Sequence, residues 1–306
     1  MSLASPYHRS VRLHGRDVAF EVRGDLDSGI PFLLVHGIGS TAEAWTPVVD
    51  ILAEHGYCCI AVDLPGHGRS SKESGDYSLG ALASTLRDLL ASLEVPRCIL
   101  VGHSLGGGIA LQFSYQYPER LAALALVSSG GLGQETSAVL RWTALPGSGL
   151  VMALAFNRAT LAVLAAAGHA FARLGRRIPA PFAPSTVDRL REIADPEHRN
   201  AFLAILRAVV DQTGQRVSAL ARLPLLASTP TLILWGERDH VLPVSHGLRA
   251  HSLLPHSRYV VFSEAGHEPH VDEPARTADL LMALAAEAER GRHLGAASRL
   301  GLAEAT

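Results

Sequence analysis

The sequence has few of the residues that build disulfide scaffolds or strongly charged surfaces. Only three of its 306 residues are cysteines, aromatic residues make up 6%, and charged residues 18%. Cys58, Cys59 and Cys98 lie in apolar runs typical of strands, so we expect buried thiols and no disulfide framework. A net charge of -2 at pH 7 gives no general field that would attract nucleic acid, so we expect no nucleic-acid partner.

The first residues lack an apolar stretch of signal-peptide length. Because buried thiols also suit a reducing compartment, we predict a cytoplasmic protein. The apolar segment 149–168 contains Asn157 and Arg158 near its middle, and a charge at the bilayer centre is costly. We therefore expect no stable membrane insertion and interpret this segment as part of a lid. A small-molecule substrate is the expected partner, and homo-oligomer formation is left open.

Short apolar runs alternate with segments of helical spacing along most of the chain. The apolar runs, which suit strands covered on both faces, are residues 31–35, 58–62, 97–102, 121–129, 231–236 and 258–262. Ahead of them, alternation around His14 and Gly15 predicts an antiparallel hairpin. The sequence therefore predicts an α/β fold, with a mostly parallel, doubly wound sheet and a leading antiparallel hairpin.

The alternation stops between residues 134 and 223, where Ala- and Leu-rich helical stretches are broken by prolines. We predict an inserted α-helical cap at 134–223, between a first core part at 1–133 and a second at 224–290. A closing helix is expected from about Pro274 to Arg290. Residues 291–306 are interpreted as a loosely held C-terminal tail.

The strongest chemical signal is Gly102-His103-Ser104-Leu105-Gly106, between an apolar strand and a helix. Glycines two residues to either side allow the sharp strand-to-helix turn that exposes a nucleophilic serine. The competing interpretation is a glycine-rich helix entry with a capping serine. The context favours Ser104 as a nucleophile, which then needs a base and an orienting carboxylate.

Two later strand ends supply those groups. Asp239 follows the strand 231–236 and His267 follows the strand 258–262, so both are expected at the carboxyl edge of the sheet, in the chain order Ser, acid, His. We predict Ser104, Asp239 and His267 as the catalytic residues. Glu237 is the competing acid. His246, which is predicted to be helical, and His270, expected at the mouth of the site, are the competing bases.

An oxyanion intermediate needs two backbone N–H donors. We predict the amide of Leu105, at a helix N-terminus, and that of Ile38, in the loop after the strand 31–35. The same loop, from Gly37 to Ala42, also fits the G-x-G-x-x-A pattern of a dinucleotide fold, with Asp63 at the next strand end. That competing interpretation does not account for the leading hairpin or for the later Ser, Asp and His.

Taken together, these residues resemble the α/β-hydrolase superfamily over about 7–133 and 224–290. His36 to Gly39 resembles its oxyanion loop, Gly102 to Gly107 its nucleophile elbow, and 63–70 a structural loop after its fourth strand. The resemblance implies a hydrolase without metal or organic cofactor. Members that open epoxides or remove halogen generally have Asp at the elbow, so Ser104 favours acyl transfer to water.

Three functions compete at this stage. The first is hydrolysis of a carboxylic ester with a small or medium apolar acyl group, through an acyl-Ser104 intermediate. The second, carbon-carbon bond hydrolysis of ring-cleavage (meta-cleavage) products, is suggested by Ser128 to Gly133, although Glu268 stands where that subgroup commonly has Trp. Its anionic substrate would need a cationic cap residue, with Arg158 and Arg189 as candidates. The third is a non-catalytic ligand-binding protein of the same shape.

Overall fold

The structure is a computed structural model that describes residues 8–174 and 190–299, apart from the side chains of residue 158 and of 291–299. The strands are β1 (His8–Leu13), β2 (Arg16–Arg23), β3 (Phe32–Val35), β4 (Cys59–Val62), β5 (Cys98–His103), β6 (Leu121–Val127), β7 (Val210–Asp211), β8 (Gly214–Gln215), β9 (Thr231–Gly236) and β10 (Arg258–Phe262). The core helices are α1 (Thr46–Glu54), α2 (Leu79–Ser92) and α3 (Leu105–Gln116). Between β6 and β9 lie α4 (Ala138–Ala144), α5 (Ser148–Ala155), α6 (Arg158–Arg173) and α7 (Pro196–Val209). After β9 come α8 (Ser245–Leu253), α9 (Pro269–Asp272) and α10 (Pro274–Arg299).

Eight strands form one sheet in the order β1-β2-β4-β3-β5-β6-β9-β10. β2 pairs antiparallel with both β1 and β4, and every later neighbouring pair is parallel. This arrangement confirms the predicted α/β fold with its leading antiparallel hairpin.

The central strands are buried because helices cover both faces of the sheet. In β3, Leu33 and Val35 belong to the apolar cluster on the side of α2 and α3. Phe32 and Leu34 belong to the cluster on the side of α1 and α10. Successive strand residues point to opposite faces, so a strand between two helical layers needs an unbroken apolar run. This requirement explains why the continuous apolar runs in the sequence predict the central strands.

The chain between β6 and β9 forms the described helices α4 to α7 and the short β7–β8 hairpin, all within the segment predicted as the cap. The cap boundaries at residues 134 and 223 stay a prediction. Inside this segment, Leu206 of α7, Ala144 of α4 and Val210 form a small apolar cluster that also contacts Ile38. The helical segment thus packs directly on the loop after β3.

Two details differ from the sequence-based expectation. The last helix continues to Arg299 rather than ending near Arg290, so residues 291–299 are helical. The segment predicted as purely helical also contains the two-residue strands β7 and β8. Within the described ranges no single helix is long and apolar enough to span a bilayer, and α4 with α5, bent by 107°, passes that test only as a pair.

Candidate active site

Ser104 lies at the turn between β5 and α3, with φ of 52° and ψ of -114°. A positive φ is uncommon for a residue other than glycine and marks local backbone strain. The neighbouring glycines explain why the turn is possible. A Cβ on Gly102 would lie 2.3 Å from the carbonyl oxygen of Gly106, and one on Gly106 would lie 2.4 Å from that of Val35. The carbonyl of Ser104 also accepts a 2.8 Å hydrogen bond from the amide of Gly130.

The structure brings Ser104, His267 and Asp239 into one hydrogen-bonded series. His267 Nε2 lies 3.0 Å from Ser104 Oγ, and His267 Nδ1 lies 2.8 Å from Asp239 Oδ2. A carboxylate only accepts hydrogen bonds, so Nδ1 carries the proton and Nε2 is free to accept the proton of the Ser104 hydroxyl. This arrangement can turn a hydroxyl into a nucleophile.

The Asp239 carboxylate is fully buried, and both of its oxygens are engaged. Oδ1 accepts hydrogen bonds from the amides of Val241 and Leu242, while Oδ2 receives His267 Nδ1. The two backbone bonds hold the carboxylate in the orientation that meets His267. The competing acid Glu237 is exposed and its carboxylate takes no part in this series.

The two competing histidines lie elsewhere. His246 is buried on α8, and its Nε2 lies 2.8 Å from Glu135. His270 was expected at the mouth of the site, but it is fully buried, and its ring lies 4.1 Å from the Trp45 ring and 4.6 Å from the His103 ring, centre to centre. That expectation was wrong because the short helix α9 turns His270 into the protein and leaves His267 facing Ser104.

Both predicted oxyanion donors, Ile38 and Leu105, line the same pocket as Ser104. The Leu105 amide is the first of α3, so it has no acceptor within the helix. In the loop after β3, the Gly39 amide donates to His67 Nε2 and the Ser40 amide donates to the Gly37 carbonyl. Neither bond uses the Ile38 amide, which stays the predicted second donor.

The pocket beside Ser104 is narrow and apolar. The space that a water-sized molecule can reach is about 40 Å³, enough for only a few waters. Its described lining is Ile38, Leu79, Ser104, Leu105, Gly108, Gly130, Gly131, Thr136, Leu140, Leu206, Val209, Val210, Gln215, Val217 and Leu242. None of these side chains is charged, so the described lining favours an apolar, neutral group.

The dinucleotide interpretation fails at Asp63. Its carboxylate is buried and accepts hydrogen bonds from the amides of Ala42 and Arg69. A Cβ on Gly68 would lie 2.5 Å from the same carboxylate. Asp63 therefore holds two loops together, and its buried carboxylate does not face a space that a ribose could enter.

Sequence reasoning missed two features of the site. His103 donates from Nε2 to the backbone carbonyl of His267 at 2.8 Å, which anchors the loop that carries the predicted base. Gln215, on the β7–β8 hairpin, accepts a hydrogen bond from the Gly131 amide at 2.7 Å and lines the pocket. The position of His103 inside the five-residue elbow pattern is a signal for its role, whereas no local pattern marks Gln215.

Burial keeps the histidines behind the site neutral. Desolvation lowers the pKa of His270 to about 3, and His267 adds a smaller effect in the same direction. Desolvation also lowers the pKa of His103 well below its ordinary value. A positive charge that develops on His267 during a reaction therefore meets no charged histidine behind it.

This burial predicts acid sensitivity. The folded-state pKa of His270 lies below its ordinary value of 6.5, so between these values the unfolded chain binds more protons. The contribution of His270 to the unfolding free energy is therefore fully present above pH ~6.5 and is lost as the pH falls toward 3. At pH 5 the unfolding free energy is lower by about 2 kcal/mol than it is above pH ~6.5. We expect His270→Phe to reduce the difference in unfolding free energy between pH 7 and pH 5 by that amount, measured by urea denaturation.

The matched control is His169→Phe, which replaces an exposed histidine on α6. We expect it to leave the difference between the two pH values unchanged. An unaltered difference in the His270→Phe protein would show that His270 is not a source of the acid sensitivity.

The comparisons with known proteins agree with this fold. Residues 30–274 match the family model of the alpha/beta hydrolase fold, and the chain therefore belongs to that family. Within it, an uncharacterized protein of Mycobacterium tuberculosis is 39% identical over 91% of this chain and 81% of its own length. A 2-hydroxy-6-oxononadienedioate/2-hydroxy-6-oxononatrienedioate hydrolase of Pseudomonas is 28% identical over 77% of this chain and 80% of its own length. The crystal structure of the esterase RhEst1 from Rhodococcus superimposes with a TM-score of 0.67 at 26% identity, covering 92% of this chain and 98% of the esterase.

Proposed function

We propose that this α/β hydrolase cleaves a carboxylic ester with a small or medium apolar acyl group, through an acyl-Ser104 intermediate. The observation that carries the proposal is the hydrogen-bonded series Ser104–His267–Asp239 beside a narrow pocket whose described lining has no charged side chain. The likeness to an esterase of known structure supports it.

In this mechanism His267 Nε2 takes the proton of the Ser104 hydroxyl as Oγ attacks the ester carbonyl carbon. The amides of Ile38 and Leu105 stabilise the negative oxygen of the tetrahedral intermediate. When the intermediate collapses, His267 gives the proton to the departing alcohol and the acyl group stays on Ser104. Water, deprotonated by the same imidazole, then attacks the acyl carbon; the bond to Ser104 Oγ breaks, His267 returns the proton to Oγ, and the acid leaves. Asp239 holds the Nδ1 proton and the ring orientation throughout.

The narrowness of the pocket gives a prediction about acyl length. We expect kcat/KM for nitrophenyl esters to be highest for acyl chains of a few carbons and at least about ten-fold lower for dodecanoate, because a long chain cannot be buried there. The measurement is steady-state hydrolysis across a series of acyl lengths. An equal or increasing kcat/KM toward dodecanoate would contradict the inferred pocket.

Carbon-carbon bond hydrolysis of ring-cleavage products is the second candidate, favoured by Ser128 to Gly133 and by the Pseudomonas relative. Such a substrate is anionic, and the described pocket lining contains no cation. Of the cationic candidates, Arg189 and the side chain of Arg158 lie outside the described part of the chain. Turnover of a ring-fission dienoate faster than that of every ester would reverse the ranking.

The cytoplasmic location and the absence of a nucleic-acid partner stay predictions.

A further inference from the structure

Two buried histidines hold the loop that follows β3. His36 is fully buried, and its Nδ1 donates a 2.7 Å hydrogen bond to the Gly37 carbonyl. His67, in the loop after β4, is also buried, and its Nε2 accepts a 3.1 Å hydrogen bond from the Gly39 amide. The two rings meet edge to face, with 4.9 Å between their centres. The histidines therefore act on the two peptide units on either side of Ile38.

The planarity of the peptide bond links the first of these contacts to the Ile38 amide. The carbonyl of Gly37 and the N–H of Ile38 belong to one trans peptide unit, so they lie in one plane and point in opposite directions. His36 Nδ1 and the Ser40 amide both donate to that carbonyl. A Cβ on Gly37 would lie 3.1 Å from the Ser104 Cβ. The Ile38 N–H is thus held in a fixed direction beside the nucleophile.

The next peptide unit ends in a glycine, and His67 holds it. Gly39 has a φ of 65°, and glycine restricts backbone rotation less than any other residue. If His67 Nε2 did not accept its N–H, a partly buried donor would lose its partner, and the loop would gain by shifting. His67 therefore fixes the half of the loop that the contacts of His36 do not reach.

His67 can accept this N–H only while its Nε2 carries no proton. Burial lowers the pKa of His67 well below its ordinary value, and His36 adds a smaller effect in the same direction. Helix α7 covers the loop of His67 closely, since a Cβ on Gly66 would lie 3.0 Å from Ile205 and 3.2 Å from Ala201. At neutral pH His67 is therefore a neutral acceptor under this helix.

We propose that His67 is a positioning residue, which keeps the Ile38 amide directed at the oxyanion by accepting the Gly39 N–H. This role rests on the proposed function, because only a reaction at Ser104 uses that amide. His67 is not part of the described pocket lining, so it acts through the backbone. The loop 63–70 thereby contributes to catalysis in addition to holding the fold together.

Two substitutions separate the acceptor from the bulk of the ring. His67→Leu keeps a side chain of similar size without an acceptor, whereas His67→Gln places an amide oxygen near the position of Nε2. We expect His67→Leu to lower kcat for short nitrophenyl esters at least about ten-fold and to leave KM within about two-fold, because an oxyanion donor acts on the transition state. His67→Gln should regain most of that kcat.

His251→Leu is the matched control. His251 is a half-buried histidine on α8 whose Nδ1 lies 2.9 Å from Ser257 Oγ, so its replacement also removes a hydrogen bond, but away from the loop after β3. We expect it to keep the kcat and KM of the parent protein.

Hydrogen exchange at the Gly39 amide measures the hold on the loop without any turnover. In fragments that contain residues 37–42, we expect this amide to exchange at least about ten-fold faster in His67→Leu than in the parent, and His67→Gln to resemble the parent. Equal exchange in all three proteins would overturn the positioning role. So would an unchanged kcat in His67→Leu, or an equal loss of kcat in His67→Gln.

A parent protein that hydrolyses no ester would contradict the proposed function instead. The exchange rates would then still decide whether His67 holds the loop.

Discussion

Ser104→Ala should lower ester turnover by at least about 10⁴-fold and should abolish labelling by a fluorophosphonate. The reason is that the Ser104 hydroxyl is the oxygen that His267 Nε2 contacts, at 3.0 Å. Alanine removes the attacking atom while leaving the pocket and the backbone donors in place. Mass spectrometry of the labelled protein and steady-state kinetics are the measurements.

Ser114→Ala is the matched control, because Ser114 is a buried serine on α3, the helix that follows Ser104, and its hydroxyl donates to the Leu111 carbonyl. We expect it to keep full turnover and full labelling. Persistent turnover in the Ser104→Ala protein would show that another residue is the nucleophile. Absence of both turnover and labelling in the parent protein would favour the ligand-binding alternative.

Gly236→Ala should disturb the site from a position that touches no substrate. A Cβ at Gly236 would lie 2.0 Å from the carbonyl oxygen of Gly266 and 2.5 Å from that of Ala265, both backbone atoms. The methyl group must displace the residues that lead directly into His267. We expect a loss of about 1–3 kcal/mol in unfolding free energy. Because a shift of about 1 Å in a catalytic group costs about 10²-fold, kcat should fall by that order.

Gly80→Ala is the control for this substitution. A Cβ at Gly80, on α2, would lie 3.7 Å from Gln116 Nε2, which is an ordinary contact. Alanine favours a helix over glycine by about 1 kcal/mol, so we expect equal or higher stability and unchanged turnover. Denaturant unfolding measures the change in unfolding free energy of both variants, and ester kinetics measures the change in kcat. A Gly236→Ala protein with the kcat of its parent would refute the inferred coupling.

The sheet was largely predictable because each central strand has to be apolar on both faces. β9 and β10 have the predicted bounds, 231–236 and 258–262, and β3, β4 and β5 differ from theirs by one residue. The convergence of residues 104, 239 and 267 was predictable for a related reason. Each follows a parallel strand, and the carboxyl ends of parallel strands meet at one edge.

Other parts of the site depend on contacts that no local pattern records. Gln215 reaches the pocket from strands of two residues, which are too short to show an alternation. The packing of His270 between Trp45 and His103 joins segments far apart in the chain, so the sequence placed His270 at the mouth of the site. The last helix continues past Gly291 although glycine is a poor helix former, and nothing in the local sequence indicated that continuation.

The pairing of β6 with β9 has a consequence for how proteins of this shape diversify. Leu124 pairs with Thr231 and Val127 with Leu234, so the strands on either side of the long intervening segment are direct neighbours in the sheet. The two parts of the core are therefore joined by direct backbone pairing on either side of that segment. We expect a chimera that carries a different segment between these strands to keep the Ser104–His267–Asp239 series and to change the acyl groups that it accepts.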